Sequence, residues 1–319
     1  MRVLVTGGAG RIGIIVCQAF LRSRFQVRVF DLENSATRKS VRGLRGKMEV
    51  VWGDITDTGS VRKAVQNVEG VVHMAALIPT APLSNPEATV KVNVKGTQTV
   101  VDAIMEENRR VPFIYTSSVS FFGPTPDATT PLNPDKDGPK PRGIYAETKL
   151  QAENVIKTSG IDYVILRLAS HWHSQIFSRG EFRYMFNIPL ENRIEIAHPD
   201  DTALAIVNAV KNFDAAKGNT LIISSGPKGR MLHKDRVRVL MKMFGLPMPP
   251  ASRFTRLPHP SDWYDTEKSQ DLLHFQNKTF TDCTEDYQRE LAVRYSPFFL
   301  PLLRYIVGPI FGKIIVSRI

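Results

Sequence analysis

Two segments of the sequence place a tyrosine four residues before a lysine, a spacing that can support proton transfer. They are Tyr145–Lys149, in Y-A-E-T-K, and Tyr264–Lys268, in Y-D-T-E-K. Residues four apart share a helix face, so each ammonium could lie beside its phenol. To act as a base near neutrality, a tyrosine must have its pKa of about 10 lowered by roughly three units, about 4 kcal/mol. Because the spacing occurs twice, the surrounding elements must decide which pair is chemical.

Short apolar runs rich in valine and isoleucine alternate with segments of helical periodicity in the first half of the chain. The predicted strands are residues 2–6, 26–31, 48–54, 70–76, 111–118 and 161–167, and the predicted helices are residues 11–22, 58–67, 86–107 and 144–158. Continuous apolar strands between helices predict an α/β fold with a doubly wound parallel sheet. Ligands bind such sheets beyond the carboxyl ends of the strands. Tyr145 and Lys149 follow the fifth strand and should face that crevice, whereas Tyr264 and Lys268 are predicted to be a solvated pair on a helix.

The alternation becomes less regular after residue 168, where prolines, aromatics and histidines are frequent. Residues 193–225 contain two strand-like runs and a helical segment, and we predict that they return to the sheet. The sequence therefore predicts a Rossmann domain over residues 1–168 with 193–225. Residues 169–192 and 226–319 are predicted to form a smaller, discontinuous substrate-binding lobe.

A glycine-rich turn follows the first predicted strand and leads into the first predicted helix. Gly7, Gly10 and Gly13 have the spacing G-x-x-G-x-x-G. In that context glycines permit a tight turn, close approach of a pyrophosphate to the backbone, and close packing of helix on strand. The free amides at the start of the helix attract an anion. The turn therefore predicts a dinucleotide-binding site.

The residue that ends the second strand favours NAD over NADP. Asp31 lies 18 residues after the third glycine, where a carboxylate can bind the adenosine ribose hydroxyls and repel a 2′-phosphate. Arg11 and Arg38 instead favour NADP, because a nearby arginine could hold that phosphate. Asp54, after the third strand, is placed either to reach the adenine or to cap the helix at 58–67.

Composition and charge exclude several classes of protein. With 42% hydrophobic residues in 319, the chain can bury a sizeable core. Its net charge of +11 is dispersed, without a zinc finger, an RNA-binding signature or a basic heptad helix, so no nucleic-acid partner is expected. Cys17 and Cys283 lack metal-ligand spacing, which is typical of a reduced cytoplasmic protein. His171 and His173 could bind zinc, but no further ligands of suitable spacing accompany them, so no metal is expected.

The segment 296–319 is unusually apolar. It is long enough to span a bilayer, but Arg304, Pro309 and Lys313 interrupt it, and charges at mid-membrane are costly. One alternative is that the segment anchors the protein at a membrane interface or covers an apolar substrate channel. The other is that it packs on its own domain or on a second subunit. Met1 leads directly into an apolar strand, without the regions of a signal peptide. We therefore expect a cytoplasmic protein, with peripheral membrane contact through 296–319 as one alternative.

Together these features resemble the extended short-chain dehydrogenase/reductase family, the group of NAD-dependent sugar epimerases and dehydratases. The matching segments are G-G-A-G-R-I-G (7–13), Asp31, G-D-I-T-D (53–57), H-M-A-A (73–76), N-V-K-G-T (93–97), Y-T-S-S (115–118), Y-A-E-T-K (145–149) and, more loosely, A-H-P-D-D-T-A (197–203). The resemblance implies NAD as cofactor. The residues that it implies for cofactor binding are Gly7, Gly10, Arg11, Ile12, Gly13, Asp31, Asp54, Ile55, Ala75, Asn93, Ser117, Tyr145 and Lys149.

The resemblance also assigns catalytic roles. It makes Tyr145 the acid/base. It gives Lys149, whose ammonium could lie beside that phenol, the further role of holding the nicotinamide ribose. The match of S-V-S-F-F-G to the family pattern selects Ser118 to hydrogen-bond the substrate oxygen. The implied step is hydride transfer between a secondary alcohol and nicotinamide, as in dehydrogenases, epimerases and dehydratases. The dehydratase branch has Asp-Glu just after this serine, but Val119 and Ser120 stand here, so dehydration is not expected.

Two departures from the family pattern weigh against a nucleotide-sugar substrate. Ser170 stands where such members have asparagine, and Arg193 is one residue out of register for a diphosphate anchor. A nucleotide-sugar epimerase stays the first interpretation. The alternative is an enzyme similar to the 3β-hydroxysteroid dehydrogenase branch, which acts on lipophilic alcohols, and a membrane-facing tail would favour it. His198 is predicted to be structural, and Asp201 is predicted to cap the following helix.

The expected partner is a small-molecule substrate, and a homodimer through the helices near 86–107 and 144–158 is usual for the family. An alternative of another class is a non-catalytic NAD-binding regulator. The intact catalytic residues disfavour it.

Overall fold

The computed structural model describes residues 1–78, 85–107, 110–171, 184–294 and 298–302. The strands are β1 (Arg2–Thr6), β2 (Gln26–Asp31), β3 (Glu49–Trp52), β4 (Gly70–His73), β5 (Phe113–Ser118), β6 (Tyr163–Leu168), β7 (Ser170–His171), β8 (Arg193–Ala197), β9 (Thr220–Ile223) and β10 (Arg230–Leu232). The helices are α1 (Arg11–Arg22), α2 (Ser35–Val41), α3 (Thr58–Val65), α4 (Pro86–Val90), α5 (Gly96–Glu106), α6 (Ile144–Thr158), α7 (Pro199–Lys211), α8 (Phe213–Ala216), α9 (His233–Phe244), α10 (Glu267–Leu273), α11 (Phe280–Arg294) and α12 (Phe299–Leu302). A π-helical turn, Lys91–Lys95, joins α4 to α5.

Seven of these strands form one sheet in the order β3-β2-β1-β4-β5-β6-β9. All of its neighbouring strands are parallel. The order reverses at β1, which lies between β2 and β4, so a crevice opens beyond the carboxyl ends of these strands. The predicted doubly wound parallel sheet is confirmed.

The sheet is buried on both faces, which explains why its strands are continuously apolar. Val3 and Val5 of β1 pack in a cluster with residues of α1 and α7. Leu4, between them, packs on the opposite face with residues of α3, α5 and α6. Strand β1 therefore contributes apolar side chains to two cores, one on each face of the sheet.

The second sheet is the main difference from the predicted topology. Strand β8 does not return to the large sheet but pairs antiparallel with β10 and parallel with β7. Of the predicted 193–225 segment, α7 packs on α1 and β9 pairs with β6. The predicted strands at 48–54 and 70–76 are also shorter in the structure, where they end at Trp52 and His73.

Among the described residues, no helix is long and apolar enough to cross a bilayer. Most of the predicted tail, 296–319, lies outside the described residues; within it, Phe298 is 79% exposed and Leu302 is 49% exposed. Cys17 and Cys283 are both buried free thiols. Burial raises the pKa of each to about 12, so neither is reactive near neutrality.

Candidate active site

The glycine turn is held close against the loop that follows β4. Gly7 has a φ of +70°, and a Cβ there would lie 2.8 Å from the Ala75 backbone nitrogen. A Cβ on Gly13 would lie 2.2 Å from the Gly7 carbonyl oxygen. Helix α1 starts with Gly10 as its N-cap, without a side-chain cap. The turn therefore brings uncapped helix amides and bare backbone to the crevice, which fits a pyrophosphate.

Asp31 reaches this turn from the end of β2. Its carboxylate accepts hydrogen bonds from the Ala9 amide at 3.0 Å and the Leu32 amide at 2.8 Å. Burial raises its pKa, and the backbone amides partly oppose that rise. The Gly10 amide contributes a further hydrogen bond. A carboxylate has about four acceptor sites, so it retains capacity for a ribose hydroxyl. Arg38 pairs with Glu33 at 2.5 Å, which weakens the argument that it holds a 2′-phosphate.

Asp54 and Ile55, the predicted cofactor-binding residues after β3, differ in burial. The exposed Asp54 carboxylate accepts hydrogen bonds from the amide and hydroxyl of Thr56, at 2.8 and 2.9 Å. Asp57, not Asp54, caps α3 by accepting the Ser60 amide, so the capping alternative for Asp54 is wrong. Ile55 is buried in the core. Any contact of Ile55 with a ligand would therefore come from its backbone.

The remaining predicted cofactor residues near α1 differ in burial. Arg11 is the exposed first residue of the helix, whereas Ile12 is half-buried and packs on the core. Arg11 lies at the helix end whose amides favour anions. Its side chain could therefore add charge to an anion site, while Ile12 could contribute its amide.

Asn93 is buried in the π-helical turn and braces two loops. Its side-chain oxygen accepts a hydrogen bond from the Leu77 N–H at 2.8 Å, and its side-chain nitrogen donates to the Leu77 C=O at 3.1 Å. It also donates to the Thr148 hydroxyl at 3.1 Å, and Thr148 donates to the Tyr145 carbonyl. Short π-helical segments are frequent at functional sites. Here the turn links the loop after β4 to the helix that bears Tyr145.

Sequence reasoning assigned no separate role to His73, which is fully buried at the end of β4. Its Nδ1 lies 2.7 Å from the Thr6 hydroxyl and its Nε2 lies 3.0 Å from the Thr97 hydroxyl. Thr97 donates its proton to the Asn93 carbonyl, so the tautomer consistent with this network has Nε2–H donating and Nδ1 accepting. Burial lowers the pKa of His73 to about 3, which keeps the ring neutral. The H-M-A-A signature therefore ties β1, β4 and the π-turn together.

The structure brings together the three predicted catalytic residues. Tyr145 and Lys149 lie one turn apart on α6, and Ser118 ends β5. The Lys149 ammonium donates to the Thr116 carbonyl at 2.8 Å and lies 6.0 Å from the Tyr145 ring centroid. The Ser118 oxygen is 3.2 Å from the Ser120 amide and 2.9 Å from its hydroxyl. If Ser120 donates both bonds, the Ser118 proton is left to donate.

The electrostatics differ from the sequence expectation for the tyrosine. Burial raises the pKa of Tyr145, although its hydrogen bond with Ser118 pulls it down. Burial also lowers the pKa of Lys149 to about 7, while the charge of Glu153 pulls it up. The protein alone therefore favours a neutral phenol, and the expected depression of the Tyr145 pKa by Lys149 is not found.

Ser117, the serine before the catalytic one, faces the interior. Its hydroxyl donates to the Glu153 carboxylate at 2.7 Å, and its side chain is buried. Its predicted contact with a cofactor would therefore fall to the backbone. Adjacent residues of a strand point to opposite faces, which separates the environments of Ser117 and Ser118.

The second tyrosine–lysine pair has a different structure from the predicted solvated helix pair. Tyr264 is buried before α10 begins, in an isolated β-bridge with Leu132. Its hydroxyl accepts the Asp262 amide at 3.1 Å. Lys268 is exposed on α10 and pairs with Asp135 at 3.2 Å. The prediction of a shared helix face is wrong, because the helix starts at Glu267 and the chain before it enters the core.

Arg193, considered as a diphosphate anchor, and His171, considered as a zinc ligand, both contact other residues of the protein. Arg193 pairs with the buried Asp262 at 2.5 Å and lies 5.0 Å from the Trp263 ring. His171 contacts the Thr202 hydroxyl at 2.9 Å. Ser170 is exposed on β7. The other two residues of the H-W-H segment, 172 and 173, lie outside the described residues.

His198 is structural, as predicted, but Asp201 is not the helix cap. His198 caps α7 by accepting the Asp200 amide at 3.1 Å, and its other ring nitrogen lies 2.9 Å from Asp286. Asp201 accepts the amides of Asn277 and Lys278, at 3.1 and 2.9 Å, and so anchors the segment before α11. The atoms of His198, Asp200 and Asp286 that could ligate a metal ion lie within 4.8 Å of one another. Both ring nitrogens of His198 already have a partner, one in the helix cap and the other in the contact with Asp286.

Comparison with known proteins gives a family match. The family model described as the 3-beta hydroxysteroid dehydrogenase/isomerase family matches residues 4–163. A 3 beta-hydroxysteroid dehydrogenase type 7 from Rattus norvegicus is 35% identical over 125 residues, 38% of this chain and 36% of that protein. Alignments with the first curated relatives span between about a third and about half of those proteins' length.

Solved structures show the same fold over nearly the whole chain. A short-chain dehydrogenase/reductase superfamily protein from Agrobacterium tumefaciens, with bound NAD, has a TM-score of 0.77 and 20% identity. It covers 92% of this chain and 99% of its own. UDP-glucuronic acid 4-epimerase from Bacillus cereus, in complex with NAD, has a TM-score of 0.75 and 23% identity, covering 91% and 99%. At these identities the likeness supports the fold alone.

Proposed function

The chain belongs to the 3-beta hydroxysteroid dehydrogenase/isomerase family, within the extended short-chain dehydrogenases/reductases, and on that premise we propose that it is an NAD-dependent oxidoreductase acting on a secondary alcohol. The observation that carries the proposal is the approach of Ser118, Tyr145 and Lys149 at the carboxyl edge of the sheet. The glycine turn and Asp31 lie at the same edge. Residues 169–192 and 226–319 are proposed as the substrate-binding lobe.

The proposed proton chemistry is carried by Tyr145 and Ser118. In alcohol oxidation the phenolate of Tyr145 accepts the substrate hydroxyl proton, and Ser118 holds the same oxygen. In ketone reduction the neutral phenol returns that proton and both hydroxyls donate to the developing oxyanion. Bound NAD⁺ supplies the hydride acceptor and a positive ring. Since burial raises the pKa of Tyr145, the positive ring of bound NAD⁺ would have to lower that pKa before the phenol could act as a base in oxidation.

The proposed substrate is a lipophilic ring alcohol, with dehydrogenation as the outcome. The family match supports it. Arg193 is already neutralised by Asp262 and is poorly placed to bind a diphosphate. Nucleotide-sugar epimerisation, which uses the same hydride step, is the competing outcome. A cytoplasmic location and membrane contact through 296–319 stay predictions from sequence.

The predicted homodimer also stays a prediction. The exposed positions of α5 and α6 include Gln98, Asp102, Glu147 and Gln151. A dimer through these helices would therefore bury a polar surface, in which hydrogen bonds between subunits would have to replace those to water.

The test is a screen of ring alcohols and nucleotide sugars for NADH formation, with product analysis for epimers, which leave no net NADH. Replacing Tyr145 with phenylalanine should lower kcat by about 100-fold or more, the scale of general acid–base catalysis, while NADH still binds. Tyr163→Phe is the control, because Tyr163 lies at the opposite end of β6 from Leu168, the partner of Ser118. Turnover in Tyr145→Phe equal to that of the control would refute the proposal, and NADH binding without any turnover in the wild type would favour the regulator.

A further inference from the structure

A buried carboxylate lies one helical turn beyond the proposed catalytic lysine. Tyr145, Lys149 and Glu153 occupy successive turns of α6, and the Glu153 side chain is fully buried. Burying a carboxylate is costly unless it is paired and hydrogen-bonded. The proton and hydride steps described above make no use of Glu153. Its burial beside the catalytic pair therefore needs a separate explanation.

The Glu153 carboxylate joins the three elements that hold the site. One oxygen accepts from the Ser117 hydroxyl at 2.7 Å and from Arg167 Nε at 2.9 Å. The other accepts from Arg167 Nη2 at 2.8 Å and Lys157 Nζ at 3.2 Å. Ser117 precedes Ser118 on β5, and Arg167 is its register partner on β6. The carboxylate thus fixes α6 against both strands.

Arg167 extends this cluster to the turn that follows Ser118. Its guanidinium carbon lies 3.4 Å from the centroid of the Phe121 ring. Phe121 belongs to the 3-10 turn Val119–Phe122, whose N-cap is Ser118. The Glu153–Arg167 pair therefore supports Ser118 through the strand before it and the turn after it.

The charge of Glu153 also acts on Lys149. The groups facing Lys149 are the Thr116 carbonyl, the rings of Tyr115 and Tyr145, and His73, whose pKa Lys149 helps to lower. None of them carries a negative charge while the phenols are protonated. Burial lowers the pKa of Lys149 and the charge of Glu153 opposes that fall. The groups facing Glu153 are Arg167, Lys157 and Ser117. Its charge also acts on two tyrosines, Tyr115 and Tyr163.

We propose that Glu153 is a positioning residue, which keeps Lys149 charged and holds α6 against β5 and β6 in the geometry that the tyrosine needs. This inference rests on the proposed function for its catalytic meaning. A charged Lys149 is lost as the pH rises through its pKa. Removing the negative charge of Glu153 lowers that pKa further, so the alkaline limit of activity should move to lower pH.

The experiment compares Glu153→Gln with Glu147→Gln, which makes the same change at an exposed position of α6. Lysine side chains carrying ¹³C at Cε are titrated by NMR, and the Lys149 signal is assigned by its loss in Lys149→Arg. In Glu153→Gln the Lys149 midpoint should fall by about one pH unit or more, the scale for an opposite charge nearby. The alkaline limb of the pH profile of kcat/KM should move to lower pH together with this midpoint. The control, Glu147→Gln, should match the wild type in both. A folded Glu153→Gln protein with an unchanged midpoint overturns the proposal.

The single variant leaves Arg167 buried without its carboxylate, which can prevent folding. Glu153→Gln with Arg167→Gln removes both charges and keeps hydrogen-bonding side chains. Because Glu153 is the charge that acts on Lys149, the double variant should still show the lowered midpoint, and an unchanged one overturns the proposal. The lysine titration needs no substrate. If no alcohol is turned over, the proposed function fails, yet the titration still decides the effect of Glu153.

Discussion

Replacing Gly13 with alanine tests the packing of the glycine turn against α1. The new Cβ would lie 2.2 Å from the Gly7 carbonyl oxygen and 2.8 Å from the Gly8 Cα, whereas ordinary contact begins at 3.4 Å. The oxygen would have to move by 3.4 − 2.2 = 1.2 Å. Both neighbours are backbone atoms of the turn, so no side-chain rotation relieves the overlap. Overpacking of this kind costs about 1–3 kcal/mol, against a helix-propensity gain of about 0.5–1 kcal/mol.

The matched control is Gly59→Ala, the same change inside α3. Its Cβ would have Asp57 Oδ2 as nearest neighbour, at 3.7 Å, so only the propensity gain of about 0.5–1 kcal/mol applies. Thermal unfolding should show a lower Tm for Gly13→Ala and an equal or higher one for Gly59→Ala. NADH affinity, measured by fluorescence titration, should fall about tenfold or more in Gly13→Ala, because charge-assisted bonds to pyrophosphate are worth about 1.5–3 kcal/mol each. A Gly13→Ala protein with the Tm of the control and the NADH affinity of the wild type would show that the Cβ causes no overlap.

Two further predictions concern cofactor choice and pH. Asp31→Ala should weaken NADH binding and reduce the preference for NADH over NADPH, because the ribose acceptor and the charge opposing a 2′-phosphate are lost; an unchanged ratio in fluorescence titrations would contradict this. Burial lowers the pKa of His73 from 6.5 to about 3, so the unfolded chain binds one more proton in that interval and stability falls as the pH drops below 6.5. His73→Gln should flatten the dependence of Tm on pH in this range, and an unaltered slope would show that the ring does not set it.

The parts of the site that sequence reasoning found are those whose chemistry is local. Gly7 and Gly13 are needed because backbone atoms within a few residues, and the adjacent loop, leave no room for a Cβ. Tyr145 and Lys149 share a helix face because helical geometry places residues four apart together. Buried strands are recognisable because a sheet covered on both faces requires continuous apolar residues.

The errors arose where tertiary packing overrode local pattern. The Tyr264 segment has helical spacing, yet Tyr264 is drawn into the core against Leu132 before the helix begins. Asp201 has the position of a cap, but His198 takes that role and Asp201 binds a distant loop. The strand at 193–197 pairs with β10 instead of the large sheet.

By itself the sequence determined the parallel sheet and the glycine turn, because periodicity and glycine spacing are properties of neighbouring residues. Its resemblance to a known family supplied the candidate catalytic set. Only the tertiary structure decided the protonation preferences of Tyr145 and Lys149, since a pKa depends on how deeply the folded chain buries a group. It alone revealed the support given by Glu153 to Ser117 and Arg167, whose partners come from separate elements. Contacts of that kind leave no local periodic signal, because folding brings together residues that the chain keeps apart.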